Sequence, residues 1–263
     1  MATATVEAGV CPTRDLPRAE EDLRSFGACV VLDAIAPAML KEIRQAVYHA
    51  ADSDRRRGWR RDYAYGSDDH LNQRVWNLPS RDPVFCDLAE HEVAMHFVRQ
   101  VVGWPALLSS MSANITSGGG ASMILHADQG YMPQPWNRPH GVNIGVCVDD
   151  FTVENGATCY VAGSHRLNRT HTAEDATPLT PLTAPAGSMI VMDGRLWHTN
   201  GVNTNGVSRA GIFSLYTLPI YLPQENWFLS LNPAIRQFGS ETLQTLFGFR
   251  PQVMGRINGL DRI

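Results

Sequence analysis

The chain has 263 residues, of which 44% are hydrophobic and 18% are charged, and its formal net charge is −4. This composition is ordinary for a globular protein with enough residues to bury a substantial core. The weak negative charge gives no reason to expect nucleic acid or an anionic membrane as the main partner, and no window approaches the ~18 consecutive apolar residues of a membrane span.

Residues 1–15 are predicted to form a flexible tail, because they contain acids and a proline and lack the apolar stretch of a secretory signal. The five cysteines are irregularly spaced and contain no CxxC pair, so neither a disulfide framework nor a zinc ribbon is expected. Reduced thiols fit a cytoplasmic protein best.

The first part of the chain is predicted to be mainly helical. The segment PRAEEDLRSFG indicates a short helix, and the strand ACVVLDAI follows it. Apolar residues recur at helical spacing in residues 36–52, which predicts a helix of three to four turns. Residues 53–73 are charged, aromatic and without a period, and such long loops often cover binding sites. Residues 82–103 form a second helical region.

From residue 105 onward, short apolar runs alternate with turn signals such as SGGGAS, ENGAT and NTNGVSR. This pattern predicts a mainly β fold with flanking helices, whose core is a double-stranded β-helix, or jelly roll, over about 105–222. A helix-like segment over residues 233–249 follows the core. No linker divides the chain, so residues 16–263 are predicted to be a single domain.

The segment ILHADQGY places His126 and Asp128 two positions apart. On a strand, side chains at i and i+2 point to the same face, so both can bind one ion. His198, after the apolar strand GSMIVMDGRLW, is the best candidate for a third ligand. Two histidines and one carboxylate leave three octahedral positions open, which suits a non-haem Fe(II) centre that binds a co-substrate and O₂ together. Zinc remains an alternative, although the helical HExxH motif of many zinc sites is absent.

Arg209 begins the apolar strand RAGIFSLY, eleven residues after His198. A hairpin through the intervening turn would place Arg209 on the strand beside His198. Burying an arginine without a partner is costly, so a cavity-facing Arg209 is expected to bind an anion. The distal carboxylate of 2-oxoglutarate is the natural candidate, because a guanidinium can grip a carboxylate with two hydrogen bonds.

These motifs together resemble the phytanoyl-CoA dioxygenase family of Fe(II)/2-oxoglutarate-dependent oxygenases. The resemblance rests on HADQGY, on ENGATCYVAGSH, on WHTNGVN around the second histidine, and on SRAGIFSLY with its arginine. The segments FGACVVLDAIAPAMLKEIRQ and LFGFRPQVMGRINGLD also resemble the ends of that family. The similarity therefore covers nearly the whole chain, and it is greatest to members that tailor secondary metabolites, including antibiotics.

The resemblance implies that His126, Asp128 and His198 bind iron and that Arg209 binds 2-oxoglutarate. Thr158 is implied as a second hydrogen-bond donor to this co-substrate, and Asn143 is a further candidate for that role. In several relatives a glutamine three residues before the first histidine also contacts the co-substrate.

Met123 occupies the position of that glutamine in this chain, so the contact must be lost or replaced. Four aromatic residues are candidates for lining a pocket for a ring-bearing organic substrate: Tyr65, Trp76, Tyr131 and Trp136. The arginine-rich run RRRGWRR over residues 55–61 could bind a phosphate, although such runs are more often solvated loops.

The expected function is oxidation of an unactivated C–H bond of a small molecule, with O₂ consumed and succinate and CO₂ released. Hydroxylation is the first expectation, and cyclisation, desaturation or epimerisation by the same cofactors is the alternative. A non-catalytic jelly-roll binding protein and a zinc-dependent hydrolase on the same scaffold also stay open. No nucleic-acid or membrane partner is expected, and the chain is expected to be a monomer or a homodimer.

Overall fold

The computed structural model describes residues 9–58, 71–120 and 122–250. Two antiparallel sheets pack against each other. The larger has the strand order β1-β7-β4-β9-β3-β2, and the smaller has the order β6-β5-β8. The strands are β1 Ala28–Val31, β2 Gln73–Val75, β3 Leu107–Thr116, β4 Gly141–Cys147, β5 Thr158–Tyr160, β6 Thr180–Pro181, β7 Met189–Asp193, β8 His198–Asn200 and β9 Arg209–Thr217.

Seven helices accompany the sheets in the described part of the chain, namely α1 Leu16–Phe26, α2 Pro37–Arg56, α3 Val84–Ala89, α4 Glu92–Val101, α5 Trp227–Ser230, α6 Pro233–Phe238 and α7 Glu241–Leu246. Together with the sheets they give the predicted jelly roll with flanking helices. Among the described residues, no helix combines the length and hydrophobicity that crossing a membrane requires.

Alternation along the strands of the large sheet separates two packing layers. In β7, Met189 and Val191 join the core between the sheet and the helices, whereas Ile190 and Met192 join a smaller core between the two sheets. Because side chains alternate along a strand, each strand serves both layers. The space between the sheets is partly filled by this smaller core, and the remainder is a cavity.

The helical predictions are confirmed in type and corrected in extent. The helix predicted over residues 36–52 is α2, which has 20 residues. The region 82–103 is two helices. The first ends at Ala89, and His91 caps α4 by accepting a hydrogen bond from Val93 N at its Nδ1. The segment 233–249 also divides, because Ser240 caps a new helix through a bond from Leu243 N to its Oγ.

The predicted hairpin between His198 and Arg209 is wrong, because β8 belongs to the small sheet and β9 to the large one. Asn203 holds the connection between them. Its backbone pairs with Asn155, and its side chain donates to the carbonyls of Thr116 and Val207. The chain therefore crosses from one sheet to the other instead of turning back beside β8.

The N-terminal segment is bonded to the core before residue 16, where the sequence predicted a flexible tail. Thr13 forms a parallel bridge with Val31, and Val10 N donates to the Tyr160 hydroxyl. Residues 1–8 lie outside the described residues. All five cysteines are free thiols.

Candidate metal centre

His126, Asp128 and His198 meet at one point of the cavity between the sheets. One potential ligand atom from each lies within 4.8 Å of the other two. His126 Nε2 is 3.8 Å from Asp128 Oδ1, and His198 Nε2 is 3.9 Å from Asp128 Oδ2. The three side chains that the sequence selected are therefore close enough to bind a single ion.

Backbone pairing brings the two histidines together. His126 and His198 form an isolated antiparallel bridge, in which each backbone N–H donates to the carbonyl of the other. The segment around His126 was predicted to be a strand, but this bridge is its one ladder contact and Asp128 begins a 3₁₀ turn that ends at Tyr131. Asp128 thus reaches the site from a turn.

Both imidazole rings present the same nitrogen to the site. The Nδ1 of His126 donates to the carbonyl of Ile124, and the Nδ1 of His198 donates to the carbonyl of Leu196, each at 3.0 Å. A carbonyl oxygen can only accept, so the proton of the neutral ring lies on Nδ1 and the Nε2 lone pair remains available. This arrangement orients both rings as metal ligands.

Burial, together with the nearby His198, lowers the pKa of His126 from 6.5 to about 4, although Asp128 acts in the opposite direction. The imidazole of His126 is therefore neutral near pH 7. Neutrality is the state that metal binding requires of a histidine.

Asn143 on β4 holds the carboxylate of the cluster. Its Nδ2 donates to Asp128 Oδ2 at 2.8 Å. The sequence offered Asn143 as a contact to the co-substrate, whereas here it bonds a candidate metal ligand. Orienting a ligating carboxylate by such a bond is common at metal sites.

Arg209 enters the cavity from the large sheet, whereas His198 enters it from the small sheet. The Arg209 residue is only 1% exposed. One of its terminal nitrogens donates to the carbonyl of Gly156, and the guanidinium carbon lies 4.1 Å from the ring centroid of Phe151. Gly211 makes this stacking possible, because a Cβ at Gly211 would approach Phe151 Cζ to 2.5 Å. The guanidinium is thus fixed in place before any ligand arrives.

The cavity has a volume of about 400 Å³. Of the remaining predicted residues, Thr158, Trp76 and Tyr131 line it. Trp136 does not line it, because its indole is 1% exposed and packs with Trp197 and Val161 in a separate cluster. Tyr65 and residues 59–61 of the arginine-rich run lie outside the described residues, and residues 55–58 of that run do not line the cavity.

Several polar residues of the cavity were not selected from the sequence. Ser110, Ser112 and Asn114 project into it from β3, which we call the polar face of β3, and Gln224 lies nearby. The alternation of polar and apolar residues in SSMSANIT was the available signal. It predicted a strand but could not tell which of its faces would meet a cavity.

Arg74 is the second guanidinium of the cavity, and no motif assigned it a role. Its Nε donates to Asn114 Oδ1 at 3.0 Å, and its Nη2 lies 3.8 Å from the sulfur of Met123. Met123 is itself held by hydrogen bonds between its backbone and the side chains of Thr199 and Asn200. Arg74 therefore lies beside the position at which relatives were expected to carry a glutamine.

A sequence profile described as "Phytanoyl-CoA dioxygenase (PhyH)" matches residues 23–211 of the chain. The chain belongs to the phytanoyl-CoA dioxygenase family. Both candidate histidines, Asp128 and Arg209 lie within the matched residues. The family was predicted from the same motifs, so this prediction is confirmed.

Several curated relatives of the chain carry dioxygenase names. Dioxygenase af480 of Aspergillus fumigatus is 37% identical over 179 residues, which are 66% of this chain and 58% of the relative. Multifunctional dioxygenase prhA of Penicillium brasilianum is 32% identical over 149 residues, 51% of this chain and 49% of the relative. The chain therefore spans about half the length of these relatives.

Solved structures share the fold at low identity. HygX from Streptomyces hygroscopicus, solved with nickel, 2-oxoglutarate and hygromycin B, has a TM-score of 0.63 at 16% identity, over 78% of this chain and 88% of HygX. The epimerase SnoN, solved with Fe³⁺, α-ketoglutarate and nogalamycin RO, has a TM-score of 0.62 at 19% identity, over 83% and 90%. These likenesses establish the jelly-roll fold that the phytanoyl-CoA dioxygenase motifs predicted.

Proposed function

We propose that this protein is an Fe(II)/2-oxoglutarate-dependent oxygenase that oxidises a small organic molecule. The observation that carries the proposal is the placement of His126, Asp128, His198 and Arg209 on one cavity. These three ligand atoms would hold a ferrous ion and would leave room for a co-substrate and O₂. The buried guanidinium adds an anchor for a carboxylate.

The donor set fits a ferrous ion. Two imidazoles that present Nε2 and one carboxylate match the facial arrangement of non-haem iron oxygenases, and Asn143 keeps the carboxylate oriented. A zinc hydrolase could use the same three ligands. It would have no need of the buried Arg209 on the facing sheet, which favours the oxygenase.

Arg209 is proposed to bind the distal carboxylate of 2-oxoglutarate, with the Thr158 hydroxyl as a second contact. Both groups line the cavity, Arg209 from the large sheet and Thr158 from the small sheet. Arg74 lies beside Met123 and is proposed to compensate for the missing glutamine amide. Arginine offers five N–H donors, so it can hold Asn114 and still donate to a ligand.

Bound iron, 2-oxoglutarate and O₂ would supply an oxidant strong enough to break an unactivated C–H bond, with release of succinate and CO₂. The chain's own residues exclude bulk water and orient the reacting groups. Hydroxylation is the proposed outcome. SnoN is an epimerase and SnoK, which shares the fold, is a carbocyclase, so this fold also carries other outcomes.

The proposed organic substrate is a natural product of secondary metabolism. HygX and SnoN were solved with hygromycin B and nogalamycin RO, which are antibiotic-type molecules. Trp76 and Tyr131 supply aromatic surface on the cavity for a ring-bearing skeleton. A cytoplasmic location and a monomeric or dimeric state stay predictions from the sequence.

An anaerobic titration tests the proposal. Fe(II) and 2-oxoglutarate added together should produce a weak visible charge-transfer band in the wild type and none in Asp128→Asn, which keeps the side-chain shape but removes the charge. Asp87→Asn, an exposed site on α3, is the matched control and should behave as wild type. A wild-type protein that gives no band would support the non-catalytic binding protein instead.

A further inference from the structure

We propose that Ser110 and Gln224 form a binding subsite for a hydroxyl group of the organic substrate. The inference rests on the proposed oxygenase function and extends it to the chemistry of the substrate. Ser110 Oγ donates to Gln224 Oε1 at 2.9 Å, and both residues line the cavity. The pair is therefore already ordered as a hydrogen-bonding unit.

The position of the pair excludes a role in binding 2-oxoglutarate. Arg209 pairs with Thr116 across the sheet, and Ser110 lies six residues farther along β3. Six residues of strand span about 20 Å. A five-carbon dicarboxylate anchored at Arg209 cannot reach Ser110, so this end of the cavity is left for the organic substrate.

The polar face of β3 leads from one end of the cavity to the other. Ser110, Ser112 and Asn114 are each only 6% exposed. The residue after each of them, Met111, Ala113 or Ile115, joins the core under the helices. Burying a hydroxyl or an amide destabilises the protein unless the group is hydrogen-bonded. A cavity lined in this way favours a ligand that supplies oxygen atoms along one edge.

A β-bulge at Ser109 fixes the geometry of the pair. The register of β3 against β9 shifts between Leu108 and Ser110. Ser109 Oγ accepts from Gln224 N at 3.0 Å, and its carbonyl accepts from Glu225 N at 2.9 Å. The segment that carries Gln224 is thus tied to the bulge, and Ser110 and Gln224 keep their separation without a ligand.

The donors and acceptors of the pair match a hydroxyl group. With Oε1 accepting from Ser110, Gln224 Nε2 retains two N–H donors, and no described protein group accepts from them. Ser110 Oγ retains lone pairs that can accept. An alcohol can accept from Nε2 and donate to Oγ, whereas an ether or ketone can only accept.

The test uses three probes with one carbon skeleton: 2-tetralol, its methyl ether and tetralin. Their affinities for the anaerobic Fe(II)–2-oxoglutarate protein are measured by equilibrium dialysis. The alcohol should bind about tenfold more tightly than the ether and the hydrocarbon, the size of one net hydrogen bond. Ser110→Ala and Gln224→Leu should each reduce this preference to below about threefold.

Gln134→Leu is the matched control, because the exposed Gln134 makes similar side-chain bonds to Thr170 away from the cavity. It should keep the full preference. Absence of alcohol binding, equal affinity for alcohol and ether, or an unchanged preference in both cavity variants overturns the subsite. The charge-transfer band with 2-oxoglutarate separates the two proposals, since it should persist in Ser110→Ala and Gln224→Leu even if the subsite is wrong.

Discussion

At the scale of single residues, the absence of a side chain at Gly211 is as important as the presence of Arg209. The ring of Phe151 occupies the space above Gly211 and stacks on the guanidinium at 4.1 Å. Stacking of this kind stabilises a cation and fixes its plane. Nothing in the sequence motif around Arg209 indicates that Phe151, 58 positions earlier, stacks on its guanidinium.

Gly211→Ala should displace Phe151 and weaken the binding of 2-oxoglutarate about tenfold, the upper part of the range for a buried cation–π contact. Phe151→Leu should have a similar effect. Because both changes act on one contact, the double variant should be little worse than either single variant. Titration of the anaerobic Fe(II) protein measures the three dissociation constants, and additive losses would contradict the shared contact.

His126 and Asp128 could be selected from the sequence as candidate metal ligands because their spacing is local and their chemistry is specific. Asn143 could not be assigned in the same way. Its bond to Asp128 depends on how β4 lies against the 3₁₀ turn, which is a tertiary contact. Trp136 met the criteria for a pocket residue equally well, yet it packs with Trp197, and its indole N–H donates to the carbonyl of Met132.

At the scale of elements, Glu225 joins three parts of the fold. Its carboxylate accepts from Met111 N on β3 at 2.8 Å and from Asn77 N, shortly after β2, at 2.7 Å. Burial raises its pKa from 4.5 to about 7, although these bonds and the nearby Arg81 and Arg74 oppose the shift. The folded protein therefore holds the proton of Glu225 more tightly than the unfolded chain.

This shift predicts a pH dependence of stability. The shift in the pKa of Glu225 contributes to the free energy of unfolding. This contribution is fully present below pH 4.5 and is lost as the pH rises through about 7. Between pH 5 and 8 the free energy of unfolding of the wild type should fall relative to that of Glu225→Gln, which cannot ionise. Urea unfolding at several pH values measures the two slopes. Glu42→Gln, on the exposed face of α2, should keep the wild-type slope.

The kinds of elements could be predicted from the sequence, whereas their connections could not. Apolar periodicity identified α2 and the β core, since these patterns are set by burial of one face. The two longer helical regions are each divided by a capping residue, His91 or Ser240. Neither residue was identified from the sequence as a helix cap. The crossing between β8 and β9 depends on buried bonds of Asn203, which no local pattern specifies.

At the scale of the whole molecule, the candidate site exists only where the two sheets meet. His198 and Thr158 lie on the small sheet, while Asn143 and Arg209 lie on the large one. The family could be predicted because the sequence contains the motifs of both sheets in the order and spacing that the family shows. The shape of the cavity could not, because it depends on the packing of the sheets and on the bulge at Ser109.

Ligands that bridge the sheets should therefore stabilise the whole fold. Relative to the protein already saturated with Fe(II), 2-oxoglutarate at about 100 times its dissociation constant should add about 2.7 kcal/mol by linkage. For a protein of this size that corresponds to a rise in Tm of about 5–10 °C. Anaerobic thermal unfolding measures the shift, and EDTA should reverse it. His198→Ala should show no rise, and a rise equal to that of the wild type would contradict the ligand assignment.

The candidate metal ligands and the polar face of β3 occupy separate segments of the backbone. None of the three candidate ligands lies on β3. The backbone of that strand is held by the residues of its other face, which pack in the core beneath the helices. Exchanging Ser110, Ser112 or Gln224 would thus alter which compound is accepted while leaving the oxidising machinery untouched. This separation would allow a few substitutions, in evolution or in a mutant library, to change the products that are formed.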